Sequence, residues 1–388
     1  RRSHVPSSRL AVIPNGIDLA PRFRAWIEEG PPPDTFGADR KGRWVAEREW
    51  PSPRIRPHVL RMGEGTLAGE VPATGRIEVH SPQSVGMAAG GWCAFEFELG
   101  EPIDPRTDDA RSVVFESAPL EERLEILGAP VATIVLSADR PEALLAVRLG
   151  DVAPRGAVAR VSWGLLDLAH REGHEGPEPL VPGRRYEVRL ALRDAGWAFL
   201  PGHRIRLAVS TAWWPIAWPS RAAATVAIET GSSRLELPVR PPREEDAALR
   251  PFEPPEAAPP LAATDLHPGG YSRSVERDPG TGEIVQVAEL DVDERGEPSL
   301  SVIDAIDLTV GHRIVEEFRI RDDDPSSARA EIRHESVLAR GPWRIRIETR
   351  SVLSSAPDRY RLRTELAARE GEGVVFAREW DEELPRGT

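Results

Sequence analysis

The sequence has 388 residues and a formal net charge of −13, with 29% of its residues charged. This length is sufficient for two or three domains with separate cores. The acidic balance, which no basic block offsets, excludes a nucleic-acid backbone as a partner. One cysteine, Cys93, excludes an intrachain disulfide, and no apolar run approaches the length of a membrane span. We expect a cytoplasmic protein with no membrane partner.

The composition favours strands over helices. The 38 prolines, 32 glycines and only 2 methionines predict many short strands joined by turns. We predict an all-β fold, namely a jelly-roll β-sandwich followed by a second antiparallel β-sheet domain. The predicted bounds are 1–40 for an irregular N-terminal segment, 41–240 for the sandwich, 241–264 for a Pro-rich linker and 265–388 for the sheet domain.

The N-terminal segment is the least regular part of the sequence. Its first residues, Arg-Arg-Ser-His, include no initiator methionine and no apolar signal core, which predicts a chain that starts within a longer protein. Three consecutive prolines at 31–33 favour coil. We expect one short helix in this segment, near Pro21–Glu29.

Eight short strands separated by Pro, Gly and Asp turns support the sandwich. One of them alternates apolar Val188 and Leu190 with charged Glu187 and Arg189. A one-residue slip would move Arg189 into the core, so the register is well specified. The predicted strands are Leu124–Ile126, Val131–Ser137, Leu144–Leu149, Val158–Leu168, Tyr186–Leu192, Ile205–Thr211, Ala224–Thr230 and Arg234–Val239.

The stretch Pro201–Ser220 combines a strand with a tryptophan cluster. Its strand places Ile205, Leu207 and Val209 on one face, and it runs into three indoles at positions 213, 214 and 218. Such a cluster is either a satellite core under a loop or an apolar surface that docks a partner or lines a pocket. We favour docking for Trp213 and Trp214 and a core position for Trp218.

The sequence beyond the sandwich changes character twice. Residues 241–261 are Pro-rich and acidic, which predicts a semi-rigid polyproline-type linker. Two later runs, 343–350 and 359–366, alternate apolar residues with Arg and Glu. This pattern predicts an antiparallel meander with one solvated, charged face.

Four stretches carry a resemblance to a known family. They are DDARSVVFESAPL at 108–120, EPLVPGRRYEVRLAL at 178–192, the stretch 201–220 and SRLELPVRPP at 233–242. In order and spacing they resemble the C-terminal, non-catalytic jelly-roll domain of the cocaine esterase and X-prolyl dipeptidyl-peptidase hydrolases, the CocE/NonD group. The resemblance covers residues 40–245. It implies an α/β-hydrolase catalytic domain before the β domain, and only the β domain is present.

The resemblance also suggests roles for single residues. The run 42–53 is similar to the strand by which the family's chain enters the β domain, which implies that Trp44 and Trp50 are packing residues. Upstream, where the family has its catalytic histidine, His4 is the only candidate and lacks the family's context. Asp108, Asp109 and Arg111 stand just before a strand. They either make turn hydrogen bonds and an ion pair or contact the catalytic domain.

Catalytic and metal sites are not predicted. A serine hydrolase needs a G-x-S-x-G elbow, which the sequence lacks; the nearest sequence, Gly270–Ser274, ends in Ser and opens a predicted strand. His170 and His174 have the spacing of two ligands on one helical face, but Gly173 and Gly176 interrupt a helix and no third ligand is evident. The aspartates at 322–324 lack the Gly and closing Glu of a calcium loop.

Two functions are compatible with these patterns. The first is the C-terminal part of a CocE/NonD-type serine hydrolase that covers the active site of a catalytic domain, in the same polypeptide or a neighbouring one. Its interface or pocket-wall candidates are Trp213, Trp214, Asp108, Asp109 and Arg111, with no catalytic residue, metal or cofactor. An exposed indole patch would also favour self-association. The alternative is a free-standing carbohydrate- or peptide-binding module.

Overall fold

The chain forms two compact units, residues 1–252 and 253–387. The computed structural model describes residues 10–12, 23–30, 41–70, 73–88, 104–252 and 256–387. Strands take up 57% of the chain and helices only 4%, which confirms the predicted all-β class. The predicted domain bounds stay predictions.

The described part of the first unit contains sixteen strands and one short α-helix, α1 (Arg106–Asp109). Two single turns of 3₁₀ helix lie at Leu168–His170 and Glu244–Ala248. The strands are β1 (Leu10–Val12), β2 (Phe23–Glu29), β3 (Gly42–Glu47), β4 (Arg56–Met62), β5 (Thr66–Ala68), β6 (Arg76–Val79), β7 (Val113–Ser117), β8 (Leu124–Gly128), β9 (Val131–Ala138), β10 (Leu144–Val152), β11 (Val158–Asp167), β12 (Tyr186–Ala191), β13 (Ala195–Phe199), β14 (Arg204–Ser210), β15 (Val226–Glu229) and β16 (Arg234–Val239).

These strands form one hydrogen-bonded sheet whose main path has the order β1-β2-β13-β8-β16-β4-β5-β7-β14-β10-β11. Strand β9 pairs with β12, β15 and β16, and β15 also pairs with β6. All eight strands predicted within 124–239 are present, with small shifts at their ends. On β14, Ile205, Leu207 and Val209 are at most 1% exposed and pack in the main core. The side-chain alternation therefore fixes the buried face, as a β-sandwich requires.

The expected helix near Pro21–Glu29 is wrong, because Phe23–Glu29 form strand β2. Its alternating Phe23, Ala25 and Ile27 are at most 3% exposed and pack in a second apolar cluster. The strand pairs with β3 on one edge and with β13 on the other. Ladder bonds on both edges and burial of one face outweigh the local helical tendency.

The tryptophans expected to pack at the start of the β domain do so. Trp44 meets Trp26 edge-on with ring centroids 5.4 Å apart. Trp50 stacks on Phe23 at 4.5 Å, although its side chain stays partly exposed. The predicted packing role of both residues is confirmed.

A buried arginine ties the residues after β16 to the sandwich. Arg240 is 0% exposed, and its guanidinium donates to both carboxylate oxygens of Asp246 at 2.8 Å. Its Nε also donates to Oε1 of Glu47 at 2.7 Å. Arg43 extends the network to Glu125 at 2.8 Å and to Asp246 at 3.1 Å. Burial acts to raise the pKa of Asp246, but its hydrogen bonds from Arg240 and Arg43 hold that pKa below the ordinary value.

This network corrects the polyproline interpretation for the start of the predicted linker. Residues Glu244–Ala248 form a 3₁₀ turn rather than an extended spacer. Beyond it, Arg24 donates to the backbone carbonyl of Arg250 at 2.7 Å, and the ring of Phe252 lies 4.8 Å from that of Trp44. Residues 240–252 are therefore held on the first unit by ion pairs and aromatic contacts.

The second unit is a nine-stranded sheet with the path β17-β20-β21-β22-β23-β24-β25, while β19 pairs with β18 and β21. All of its ladders are antiparallel, which confirms the predicted second sheet. A 3₁₀ turn lies at Asp304–Ile306. Its strands are β17 (Ala263–His267), β18 (Gly270–Arg277), β19 (Glu283–Val292), β20 (Ser299–Ile303), β21 (Leu308–Arg321), β22 (Asp324–Arg340), β23 (Trp343–Ser355), β24 (Arg359–Glu370) and β25 (Gly373–Pro385).

One face of this sheet carries paired Arg and Glu side chains. Glu331 is 2% exposed, and it accepts hydrogen bonds from Arg350 at 2.7 Å and from Arg333 at 2.8 Å. The hydrogen bond from Arg350 is the main cause that lowers the pKa of Glu331 to about 2. On the next pair of strands, Arg361 and Asp381 form a bidentate ion pair. The charged face predicted for the meander is therefore a network of cross-strand ion pairs.

We predict that Arg240→Met destabilises the chain by about 3–5 kcal/mol, because removing one partner leaves buried carboxylates uncompensated. The matched control is Arg234→Met, which removes a half-exposed pair with Glu236 and should cost less than about 1 kcal/mol. Urea unfolding of both variants, followed by tryptophan fluorescence, measures the difference. Equal midpoints for the two variants would contradict the anchoring role of Arg240.

Candidate functional site

Three segments meet at one place in the first unit: residues 81–88, 104–112 and the distant 210–219. All five residues predicted as interface or pocket-wall candidates lie there. We call this cluster the Asp–Trp junction. It consists of Asp108, Asp109, Arg111, Trp213 and Trp214.

Backbone contacts lock the first and third segments together. Ser81 and Thr211 exchange hydrogen bonds, each backbone N–H donating to the other's hydroxyl at 3.0 and 3.2 Å. The N–H of Trp214 donates to the carbonyl of Val85 at 2.7 Å. Gly86 has a φ of +115°, and a Cβ there would lie 2.5 Å from the carbonyl oxygen of Trp214. Only glycine fits this close approach.

Asp108 connects helix α1 to the loop that contains Gly86. Its carboxylate is 1% exposed, and Oδ1 accepts a hydrogen bond from the Gly86 N–H at 2.9 Å. Within the described part of the chain, its Oδ2 is buried without a hydrogen-bond partner. Burial raises the pKa of Asp108, although the Gly86 N–H and the charge of Arg148 act in the opposite direction.

Asp109 lies between two arginines. Its Oδ1 is 3.3 Å from Nε of Arg148, and its Oδ2 accepts a hydrogen bond from Arg206 at 3.1 Å. Arg206 also forms an ion pair with Glu116 on the neighbouring strand β7. The carboxylate of Asp109 therefore joins helix α1 to strands β10 and β14. The ion pair expected for this segment is made with the arginines of these two strands.

Arg148 is the central residue that the sequence analysis missed. It is 3% exposed, and its guanidinium donates to the hydroxyls of Ser210 at 2.8 Å and Ser112 at 2.6 Å. The same guanidinium lies 4.8 Å from the ring centroid of Trp213. The sequence does contain a signal, since Arg148 interrupts the apolar run Leu144–Leu149. A buried charge in such a strand requires a carboxylate partner from elsewhere in the chain.

Trp213 and Trp214 are each 1% exposed, so the expectation that they form an exposed apolar patch is wrong. The chain does leave the sheet after them, but the loop around Gly86 covers both residues. Trp213 packs against Trp163 with ring centroids 5.5 Å apart. Trp218, which we expected in the core, is instead half-buried and meets Trp214 edge-on at 5.0 Å. Self-association stays a prediction, but the indoles of Trp213 and Trp214 no longer support it because they are buried.

The outer side of the junction is more accessible. Arg111 is half-buried and donates to the hydroxyl of Ser84 at 2.7 Å. Residues 215–218 are half-buried, and Arg106 in helix α1 is exposed. These residues form a polar and aromatic rim around the buried residues of the Asp–Trp junction.

The other residues weighed as catalytic or metal candidates make structural contacts where the structure describes them. Groups of three metal-ligating side chains do not occur among them. Ser272 of the near-miss elbow lies in strand β18, as expected, and donates to Glu289 at 3.1 Å. Asp324 pairs with Arg321 and accepts from the Ser326 N–H at 2.9 Å, as a turn residue does. Cys93 and His4 lie outside the described residues.

Comparisons with known proteins identify a family and several relatives of this chain. Residues 15–245 match the X-Pro dipeptidyl-peptidase C-terminal non-catalytic domain family. A Mycobacterium bovis protein named as a serine esterase is 28% identical over 203 residues, which are 47% of this chain and 32% of that protein. Cocaine esterase from a Rhodococcus species is 26% identical over 186 residues, 44% of this chain and 32% of the esterase. The chain thus spans about a third of these relatives' length.

The chain is also similar to a solved α-amino acid ester hydrolase, with a TM-score of 0.46 and 22% identity over 51% of this chain and 39% of that one. The fold and the matched range together define an all-β, C-terminal non-catalytic domain. The chain belongs to the X-Pro dipeptidyl-peptidase C-terminal non-catalytic domain family.

We predict that Trp213→Ala destabilises the chain by about 3–5 kcal/mol, because it removes a fully buried indole and leaves a cavity. The control is Trp343→Ala in strand β23, where the indole is 42% exposed and the loss should be below about 1 kcal/mol. Thermal unfolding of both variants measures the effect. An unchanged transition for Trp213→Ala would restore the interpretation as an exposed patch.

We predict that Asp108→Asn stabilises the chain at pH 7. A carboxyl whose pKa is raised on folding is less stable in its ionised form within the folded state, and this cost is present above the folded-state pKa. The advantage of the variant should shrink as the pH falls through that pKa and vanish below the ordinary value of 3.8. Melting temperatures between pH 7 and pH 3.5 test this, with exposed Asp194→Asn as the control. A variant less stable than the wild type at pH 7 would contradict the prediction.

Proposed function

We propose that this chain is the C-terminal part of a CocE/NonD-type serine hydrolase of the acyl or X-prolyl dipeptidyl-peptidase kind. In this proposal the Asp–Trp junction supports a surface that docks on the catalytic α/β-hydrolase domain of the same polypeptide and forms part of its pocket wall. The observation that carries the proposal is the convergence of five candidate residues at one rigid junction, although they come from two groups that lie more than a hundred positions apart in the sequence.

The buried contacts of the junction support the docking role because they make the junction rigid. Arg148 and Asp109 fix helix α1 to the sheet, and the Ser81–Thr211 exchange fixes the tryptophan loop. A loop held in this way loses little conformational entropy when it binds a partner. Arg111 and Trp218 in the rim then supply a cation and an indole, residue types that are enriched in interfaces.

The alternative of a carbohydrate- or peptide-binding module has less support. Such a module needs aromatic side chains in a solvated groove, and the indoles of Trp213 and Trp214 are buried. A groove of about 500 Å³ on the second unit is lined instead by alternating Arg and Glu. Several of those side chains pair with each other, as Arg346 does with Glu335 at 3.0 Å, which makes them less available to a ligand.

The absence of a membrane partner remains part of the proposal. In the described residues, none of the helices has the length and apolarity needed to cross a membrane. The net charge of −13 is unfavourable for binding nucleic acid.

The coding sequence upstream of Arg1 provides the first test. We expect an in-frame α/β-hydrolase domain that contains G-x-S-x-G, and we expect the present chain alone neither to hydrolyse p-nitrophenyl acetate nor to react with a fluorophosphonate probe. A start codon directly before Arg1, with no hydrolase gene beside it, would contradict the proposal. So would stoichiometric labelling of one serine in the isolated chain.

The second test compares one substitution in two contexts. In the whole protein, Trp218→Ala should lower esterase activity or the melting temperature of the catalytic domain, because it removes part of the docking rim. In the isolated chain the same change should cost less than about 1 kcal/mol, since the indole is half-buried. Trp50→Ala, which removes another partly exposed indole, is the control. Equal effects of both substitutions in the whole protein would contradict the docking role.

A further inference from the structure

The loop between β11 and β12 carries two histidines whose rings face each other. The Nδ1 atoms of His170 and His174 are 3.4 Å apart, and the ring centroids are 5.2 Å apart with planes inclined by 42°. From sequence alone we expected no metal site, because Gly173 and Gly176 interrupt a helix. The structure brings the two rings together without a helix, through a 3₁₀ turn followed by an irregular loop.

This loop is closed and fixed at both ends. Asp167 caps the 3₁₀ turn by accepting from the N–H of Ala169 at 2.9 Å. The N–H of Leu168 donates to the carbonyl of Ala143 at 2.9 Å, and the N–H of Glu178 donates to the carbonyl of Ala169 at 2.8 Å. Both ends of the loop are thereby held, so the two histidines are presented on a preorganised support.

Arg171, which lies between the two histidines in the sequence, binds other groups. Arg171 donates to the backbone carbonyls of Leu168 at 3.1 Å and Glu178 at 2.6 Å. Its guanidinium also lies 4.6 Å from the ring centroid of Tyr186. On the same turn, Glu172 and Glu175 are exposed carboxylates. The local charge is therefore compatible with a bound cation.

The distance between the two Nδ1 atoms can be compared with the values expected for a hydrogen bond and for a shared metal ion. A hydrogen bond between two neutral imidazoles has a usual length of about 2.7–3.2 Å, so 3.4 Å is long for one. A tetrahedral ion with metal–nitrogen bonds of about 2.05 Å holds two of its ligand nitrogens about 3.3 Å apart. The observed separation fits two nitrogens bound to one ion, and as a hydrogen bond it would be long.

We propose that His170 and His174 chelate one divalent transition-metal ion of the zinc type through their Nδ1 atoms. Neutral imidazole is a preferred ligand for Zn²⁺, Ni²⁺ and Cu²⁺. Since the described residues offer no group of three ligating side chains, water completes the coordination. The site is exposed and independent of the Asp–Trp junction, so it does not rest on the proposed docking function.

Gly173 is the residue that positions the second histidine. Its φ is +142°, a conformation that favours glycine, and a Cβ there would meet no atom within 4 Å. Gly173→Ala therefore strains the backbone without introducing a clash and without removing a ligand. Gly176 also has open space around its Cβ position but no positive φ. Gly176→Ala is thus a matched control for the same chemical change.

Isothermal titration of the full, tag-free chain with Zn²⁺ tests the proposal. We expect one saturable equivalent in the wild type, and more than about tenfold weaker binding in His170→Ala and in His174→Ala. Gly173→Ala should weaken binding, and Gly176→Ala should not. His58→Ala, which removes an exposed histidine on β4, should bind like the wild type. Circular dichroism confirms that each variant is folded.

Three results would overturn the proposal. The first is the absence of a saturable site in the wild type, which would leave only a long contact between two imidazoles. The second is unchanged affinity in either single-histidine variant. The third is equal weakening by His58→Ala, which would show non-specific binding to surface histidines.

Discussion

The buried guanidinium of Arg148 is the interaction on which the candidate site depends. A charge in the middle of a sandwich strand is unfavourable unless ion pairs and hydrogen bonds compensate for its lost hydration. Asp109 in helix α1, Ser112 in the turn after it and Ser210 at the end of β14 provide that compensation. These partners reach Arg148 only when helix α1 and the end of β14 lie beside it, so its burial favours the arrangement in which helix α1 and the tryptophan loop meet.

Arg240 applies the same principle at another position in the first unit. Its partners, Glu47 and Asp246, come from strand β3 and from the 3₁₀ turn after β16. In both networks a buried arginine binds a segment that lies outside the β-strands, namely helix α1 or the 3₁₀ turn after β16. Apolar alternation builds the sheets, whereas buried ion pairs decide where the irregular segments lie. This division explains why a chain with so many turn residues still specifies the positions of its loops.

The sequence allowed prediction where the pattern is local and failed where burial depends on distant partners. The alternation of Val188 and Leu190 with charged neighbours predicted a strand that the structure contains. Residues 23–29 also alternate, but they become a strand only because β3 and β13 pair with both edges. Likewise, the sequence located the tryptophan cluster but not its burial. The loop that covers Trp213 and Trp214 lies about 130 residues earlier, and only the glycine at position 86 allows it to approach.

The two units show that one strand pattern can lead to different energetics. In the first unit both apolar faces meet, and Leu207 and Val209 are completely buried. In the second unit a few apolar side chains such as Ile320 are buried, but many remain partly exposed, for example Ile332 at 39% and Trp343 at 42%. Hydrophobic burial therefore contributes less per residue there. Long ladders and ion pairs such as those of Glu331 must contribute more. Because its pKa is lowered to about 2, Glu331 stabilises the fold fully only above its unfolded-state pKa, and this part is lost as the pH falls toward 2. The second unit thus depends on electrostatics for stability that the first unit obtains from its core.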